Sequence, residues 1–354
     1  MIVVRPLAST GSLDASFFEI PDRVYQFLPY WPAEDESAIR RLFQLEATRN
    51  DIVVYTDHEH LRLVGIFPVG GATAYFGYWE TTSDLTLNQE AFAQLSATAR
   101  QRGYRTLQGP LNFNTFHSYR LRLGAPPSWS YFDKEPINPT YYPELLSRLG
   151  FTPVLSFESR LIELATVPTV YEDKASLLAA LSTLPYDFIP LTPTTWRQYE
   201  PELFELVQQI FSANPAYQPI PEAQFMLLYN PEYAAKLCPH TSVLLRERTR
   251  GQLVALSLCH PNYAPLHLGA KPPVFERDYP LLPQKTLLAK TIGVHPNFRN
   301  QQLMNSLGAY GMLSFRELYE QIIFCLMRSD NFSLHFTDGL PAEVARYALF
   351  EREV

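Results

Sequence analysis

The sequence predicts an α/β protein of α+β type, with mixed sheets, built as two halves of one design. Its 354 residues are too many for one ordinary domain and suit two, each large enough to bury its own core. The order of helical and strand patterns in the first half recurs in the second, although the residues themselves show no clear repeat. Between 165 and 190, Pro168, Pro185 and Pro190 bracket one short helical pattern, the best boundary signal in the chain.

In the first half, 33–49 starts with acidic residues and carries apolar positions at helical spacing, so a helix is expected there. Runs of β-branched and aromatic residues at 51–56, 61–69 and 72–79, separated by short polar or Gly-containing breaks, predict an antiparallel meander. Segment 87–103 repeats apolar residues every three or four positions and closes on Arg100, Arg102 and Gly103, the chemistry of a helix end. A strand in 104–113, a Pro-rich loop, a helix at 141–151 and a strand at 154–164 complete this half. The second half repeats the scheme. A strand at 188–191, helices at 194–211 and 221–228, and strands at 241–247 and 253–259 lead into a loop rich in Pro and aromatics at 260–285. A strand at 286–294, a helix at 303–320, a strand at 321–327, a helical turn from Asn331 and a strand at 345–352 follow. The loop is long for a connection inside a compact domain, which marks either a functional segment or aromatic packing between halves.

Composition excludes several classes. Hydrophobic residues at 46%, charged at 18% and aromatics at 14% describe a packed globular chain. Cys238, Cys259 and Cys325 lie far apart in or beside apolar runs, which favours neither a disulfide framework nor a metal site. A reducing, cytoplasmic setting is expected, with no metal. Neither a signal peptide nor a membrane span is expected, since no eighteen apolar residues run together. A net charge of −7 argues against broad binding to nucleic acid. Arg100, Arg102, Arg105, Arg120 and Arg122 are read as a solvated helix end and loop. No Gly-x-Ser-x-Gly turn and no Gly-x-Gly-x-x-Gly fingerprint occurs.

The most informative segment is TIGVHPNFRNQQLMNSL, 291–307. An apolar strand stops at Pro296, crosses a polar bend and enters an amphipathic helix, whose first-turn N–H groups and dipole converge on one point. Such a point is an anion site. Arg299, Asn300, Gln301 and Gln302 add a cation and amide donors there.

This segment resembles the pyrophosphate motif of the GCN5-related N-acetyltransferases (GNAT), Val-x-Pro-x-x-Arg/Gln-x-x-Gly-x-Gly/Ala. Val294, Pro296, Arg299 and Leu307 stand in register and Phe298 precedes the arginine, while Gln302 and Met304 replace the two small residues. The resemblance implies that Gln302, Leu303 and Met304 line the pyrophosphate. It places Asn331, in RSDNFS, on the pantetheine arm. In the first half YYPELLSRLGF, with Leu149, Gly150 and Phe151, is similar to the family's closing helix. The segment in the place of the first pyrophosphate loop, ETTSDLTLNQE, is acidic and lacks Arg and Gly, so this half is read as a non-binding copy. FGYWE, LQGPLNF and FDKEPINPTYY extend the likeness to a bacterial tandem GNAT layout. The implied organisation is two GNAT-like domains in tandem: 1–165 without cofactor, a linker at 166–187, and 188–354 binding acyl-CoA.

The resemblance also implies the chemistry. An amine attacks the thioester carbonyl of acetyl-CoA or another acyl-CoA, and the backbone N–H groups of Ile292, Gly293 and Val294 stabilise the oxyanion. The tyrosine acid common in the family is missing at its usual spacing. His335 is the candidate acid, weighed against a packed or surface histidine. Lys290, Thr291 or a water chain is the candidate base. The acceptor is expected to be a small-molecule amine. The donor is acyl-CoA or the phosphopantetheine of an acyl carrier protein. Two other readings stay open: an aminoacyl-tRNA-dependent transferase, and a silent GNAT-like binding module.

Overall fold

The computed structural model describes residues 1–7, 12–28, 34–129, 131–269 and 271–354. In chain order the first elements are β1 (Val3–Leu7), α1 (Ala15–Val24), α2 (Glu36–Glu46), β2 (Asn50–Thr56), β3 (Leu61–Pro68), β4 (Thr73–Thr81), α3 (Leu85–Gln101), β5 (Thr106–Gly109), β6 (Leu121–Leu123) and α4 (Tyr142–Arg148). Next come β7 (Thr152–Glu163), α5 (Lys174–Ser182), β8 (Tyr186–Pro190), α6 (Pro193–Phe211), α7 (Glu222–Leu228), α8 (Pro231–Ala235), β9 (Val243–Glu247) and β10 (Leu253–Pro261). The last are α9 (Phe275–Asp278), β11 (Thr286–Val294), α10 (Leu303–Met312), α11 (Phe315–Leu318), β12 (Gln321–Arg328) and β13 (Glu343–Glu353).

The chain divides into two compact units. The first is Met1–Ala125 with Pro136–Ser156 and Arg346–Val354, and the second is Pro126–Glu135 with Phe157–Ala345. In the first, the strand order is β1-β2-β3-β4-β5-β13, with β6 also on β13. All pairs are antiparallel except β4 with β5. Alternate residues go to opposite faces, as the period of a strand requires. Val53, Tyr55, Leu63 and Phe76 pack with Phe92, Leu95 and Ala99 of α3, whereas Ile52, Val54, Val64 and Ile66 pack with Phe17 of α1 and Phe43 of α2. In the second unit the order β8-β9-β10-β11-β12-β7 repeats this scheme, and β11 with β12 is its parallel pair. Leu303 and Leu307 of α10 pack with Val243, Val254 and Val294, and α6 contacts β10 and β11.

This division differs from the boundaries expected at 165 and 188. The strand expected to close the first half, β7, pairs with β12 of the second unit, from Gln321↔Glu163 to Arg328↔Phe157. The strand expected to close the second half, β13, pairs with β5 of the first, from Phe350↔Gly109 to Glu353↔Thr106. Periodicity identifies a strand but says nothing about which edge it joins, so the exchange was invisible locally. The segment expected as a linker contains α5, which packs on α10.

Other expectations held with shifted ends. The helix at 33–49 is observed as α2, where Asp35 accepts from Ala38 N at 3.0 Å; residue 33 lies outside the described residues. The helix at 303–320 breaks at Leu313 and Ser314 into α10 and α11. β1, α1 and α8 had not been anticipated. The loop at 260–285 holds α9, and its Tyr263, Phe275 and Leu282 are buried.

Candidate functional site

β11 is the strand on which the second unit's site is built. It pairs in parallel with β12 from Thr286↔Gln321 to Ala289↔Phe324, and the two strands then part. Its other edge stays on β10, with one register shift: Leu258 faces Thr291 and Cys259 faces Ala289. Lys290 is therefore the extra residue of a β-bulge, a device that re-aims a side chain and sharpens the twist. β12 bends away in its turn at Leu326, whose φ is 53°, and Ser159 Oγ accepts from Leu326 N at 2.9 Å. Among the described residues, 290–294 thus have no strand neighbour on that side. Gly293 lets α6 lie close against β11, because a Cβ there would lie 2.5 Å from Ile210 Cγ2 on α6.

Beyond β11 the chain turns tightly. His295 N donates to Val254 O at 2.7 Å, and His295 Nδ1 accepts from Asn297 N at 3.1 Å. Arg299 donates through Nη2 to Ile210 O at 3.1 Å and through Nε to Val294 O at 3.4 Å, so part of its guanidinium ties the turn to α6 and β11. Gln301 is held by the Tyr186 hydroxyl. Gln302 has φ 56°, in the left-handed region that glycine favours. α10 begins at Leu303 with no side-chain cap on its first turn. Leu303 is buried, Met304 is half-buried and Asn300 is exposed.

Asn331 and His335 sit apart from these groups in the contacts they make. Both are exposed, on the turn after β12, and His335 Nδ1 lies 2.7 Å from Asp338 Oδ2 in a surface pair. Among the described residues, the ion pair of His335 is with Asp338.

The sequence reading passed over the segment that covers Lys290. Residues 126–135 follow the first unit's strands but belong to the second unit. Phe132 is fully buried among Leu161, Leu288, Ile323 and Cys325. Lys290 Nζ donates to Asp133 O at 2.6 Å and stands 4.7 Å from the centre of the Phe132 ring. The Asp133 carboxylate pairs with Lys236 Nζ at 2.7 Å, and His260 Nε2 lies 3.8 Å from it. His260 Nδ1 is 2.8 Å from Pro261 O, an atom that only accepts, so Nδ1 carries the proton. Nε2 is then a buried lone pair with no hydrogen-bond partner among the described residues. Burial, helped by Lys236, pushes the His260 pKa down to about 3, so the ring is neutral. Burial would raise Asp133, but Lys236, Lys290 and His260 outweigh it and hold the carboxyl well below the usual range. Burial also lowers Lys290, against Cys325 and Asp133, which raise it. FDKEPINPTYY was noticed for its likeness, but nothing in its spacing said that it would cross to the other unit.

The first unit has the corresponding strand in β4. It pairs with β5 only from Thr73↔Thr106 to Tyr75↔Gln108, and it bulges opposite Arg62 and Val64. Here the opening is filled by the chain's own backbone. Leu111 N donates to Phe76 O at 2.7 Å, Tyr78 N donates to Asn112 Oδ1 at 2.7 Å, and a Cβ on Gly77 would meet Leu111 O. The next helix, α3, is capped by Asp84, which accepts from Leu87 N at 3.1 Å. Glu80, further along β4, accepts from Tyr142 Oη at 2.9 Å. Burial raises its pKa to about 7 against the pull of Arg62, whose guanidinium is bound in a fork by Glu34 at 2.6 and 2.8 Å.

Among the described residues no group of three or more His, Cys, Asp or Glu could hold a metal ion, and no helix is long and apolar enough to cross a membrane. In each unit six strands follow one order, and the fourth bulges and parts from a parallel fifth before a helix, and the fold is similar to that of tandem GCN5-related N-acetyltransferases. Solved structures bear this out at the level of fold. A tandem GNAT protein from the clavulanic acid biosynthesis pathway superposes with a TM-score of 0.55 at 12% identity, over 100% of this chain and 98% of that one. A GCN5-related N-acetyltransferase from Kribbella flavida gives 0.52 at 8% identity, over 100% and 71%. A protein of unknown function from Enterococcus faecalis V583 gives 0.52 at 8%, over 100% and 73%. No protein-family model matches the chain, and no curated protein matches it in sequence.

Proposed function

We propose that the second unit binds an acyl-CoA along β11 and transfers its acyl group to the amine of a small molecule, while the first unit is a non-binding copy. The observation that carries this reading is the parting of β11 from β12 ahead of the uncapped start of α10. Edge N–H groups released from a ladder need acceptors, and a thioester arm laid beside β11 supplies them. As the amine nitrogen bonds to the carbonyl carbon, the oxygen gains negative charge that these N–H groups stabilise; the C–S bond then breaks and the thiolate leaves. The first turn of α10, with the positive end of its dipole, suits the pyrophosphate. In the first unit Asn112 already satisfies the equivalent N–H of Tyr78, and Asp84 places a carboxylate where phosphate would lie.

The test is calorimetric titration of acetyl-CoA into the intact chain and into Gln302→Asp. The substitution puts a carboxylate at the start of α10, which suits the helix but repels phosphate. Binding to the native chain, weakened by about tenfold or more (~1.4 kcal/mol) in the variant, is the expected result. No binding by a folded native chain overturns the reading.

A further inference from the structure

We infer that Lys290 is itself an acyl acceptor, so that the second unit acylates its own Nζ. The inference rests on the proposed seating of an acyl donor along β11. Lys290 is the bulge residue of that strand, at the point where β11 leaves β12, and the residue as a whole is half-buried. Nζ is anchored by one hydrogen bond to a neutral carbonyl, Asp133 O, and by the face of Phe132. The Asp133 carboxylate is engaged by Lys236 instead, and among the described residues Nζ has no ion-pair partner.

The groups that face Nζ come from four elements. The inserted loop brings Asp133 and Lys134, the residue after α8 is Lys236, β10 carries His260, and β12 carries Cys325. His260 is neutral and adds no charge. Burial is the largest influence on Lys290 and, with Lys236 and Lys134, outweighs Cys325 and Asp133, so the free amine is more abundant than on a surface lysine. A desolvated amine of this kind is a nucleophile. In the step, Nζ bonds to the thioester carbonyl carbon, the C–S bond breaks, and the proton shed by nitrogen goes to the departing thiolate, leaving an amide and a free thiol.

The experiment is peptide mass spectrometry after incubating the intact chain at neutral pH with acetyl-CoA, and in parallel with the acetyl thioester of N-acetylcysteamine. The second reagent carries the end of the pantetheine arm but no phosphate, so it does not depend on a pyrophosphate site. Acetylation of Lys290 at least about tenfold faster than of the exposed lysines is expected, because burial keeps more of its amine unprotonated. Lys290→Arg should abolish it. Lys236→Gln, which removes a repelling charge, should slow it severalfold at neutral pH, with the difference fading in alkali. If calorimetry shows acetyl-CoA binding but neither reagent acetylates Lys290 faster than the surface lysines, the inference is overturned and the acyltransferase reading stands. If acetyl-CoA does not bind yet the small thioester marks Lys290 selectively, the inference stands and the cofactor reading falls.

Discussion

β4 of the first unit and β11 of the second begin alike. Each is the fourth strand of its sheet, each bulges, each parts from a parallel neighbour, and each carries a glycine where another element comes close. They differ in what meets the exposed edge. On β4 it is the chain's own next turn, with Leu111 against Gly77 and Asn112 on Tyr78 N, followed by a helix already capped by Asp84. On β11 it is a lysine at the bulge and an uncapped helix beyond. One side-chain amide and one carboxylate distinguish the two edges, while the order of strands is the same.

The comparison can be tested from its largest consequence downward. Gly77→Ala should cost about 3 kcal/mol in urea unfolding, because the added methyl meets a backbone carbonyl that cannot rotate away. Gly293→Ala should cost roughly half as much, since it meets the Ile210 side chain. Equal costs would show that the two close approaches are equivalent.

Next come two pH effects of opposite sign. Glu80 has its pKa raised to about 7 from 4.5, so the folded state holds more protons between these values and stability falls as pH rises through them. His260 is lowered from 6.5 to about 3, so the unfolded state holds more protons and stability is lost as pH falls below 6.5. Melts across pH 4 to 8 on Glu80→Gln and His260→Gln should therefore lose slopes of opposite direction, each about 3 kcal/mol over its window. Slopes of one sign in both variants would break the contrast.

Removing the cap in Asp84→Ala should cost about 1 kcal/mol. The smallest effect is Gln302→Asp, which should stabilise by a few tenths of a kcal/mol at low salt through the dipole of α10. A loss of stability there would mean that the left-handed turn, rather than the helix start, controls that position.

Much of this was legible in the sequence because it is local. The meander of β2, β3 and β4 follows from residues that alternate faces, and α3 shows in Phe92, Leu95 and Ala99 at helical spacing. The strand-turn-helix from Thr291 to Leu307 was legible in the same way. What escaped were long-range partners. Nothing near Phe132 or Asp133 says that they will meet Leu288 and Lys290, and an Asx contact such as Asn112 on Tyr78 N leaves no periodic trace. Arg299 was legible as a cation at the turn, but not that its guanidinium would hold the carbonyls of Ile210 and Val294. His335 was named because it stands near the place of the family's tyrosine, and its contact with Asp338 was not legible in the sequence.

The exchange of β7 and β13 also bears on how the chain is made. During synthesis the residues that line up with Thr106 to Gly109 emerge only after the whole of the second unit, since their partners are Phe350 to Glu353. Until then β5 presents an open edge, the kind of template on which nascent chains pair wrongly. The first unit therefore cannot finish folding as the ribosome advances, even though most of its residues come first. Its completion waits for translation to reach β13, after every residue of the second unit has been made.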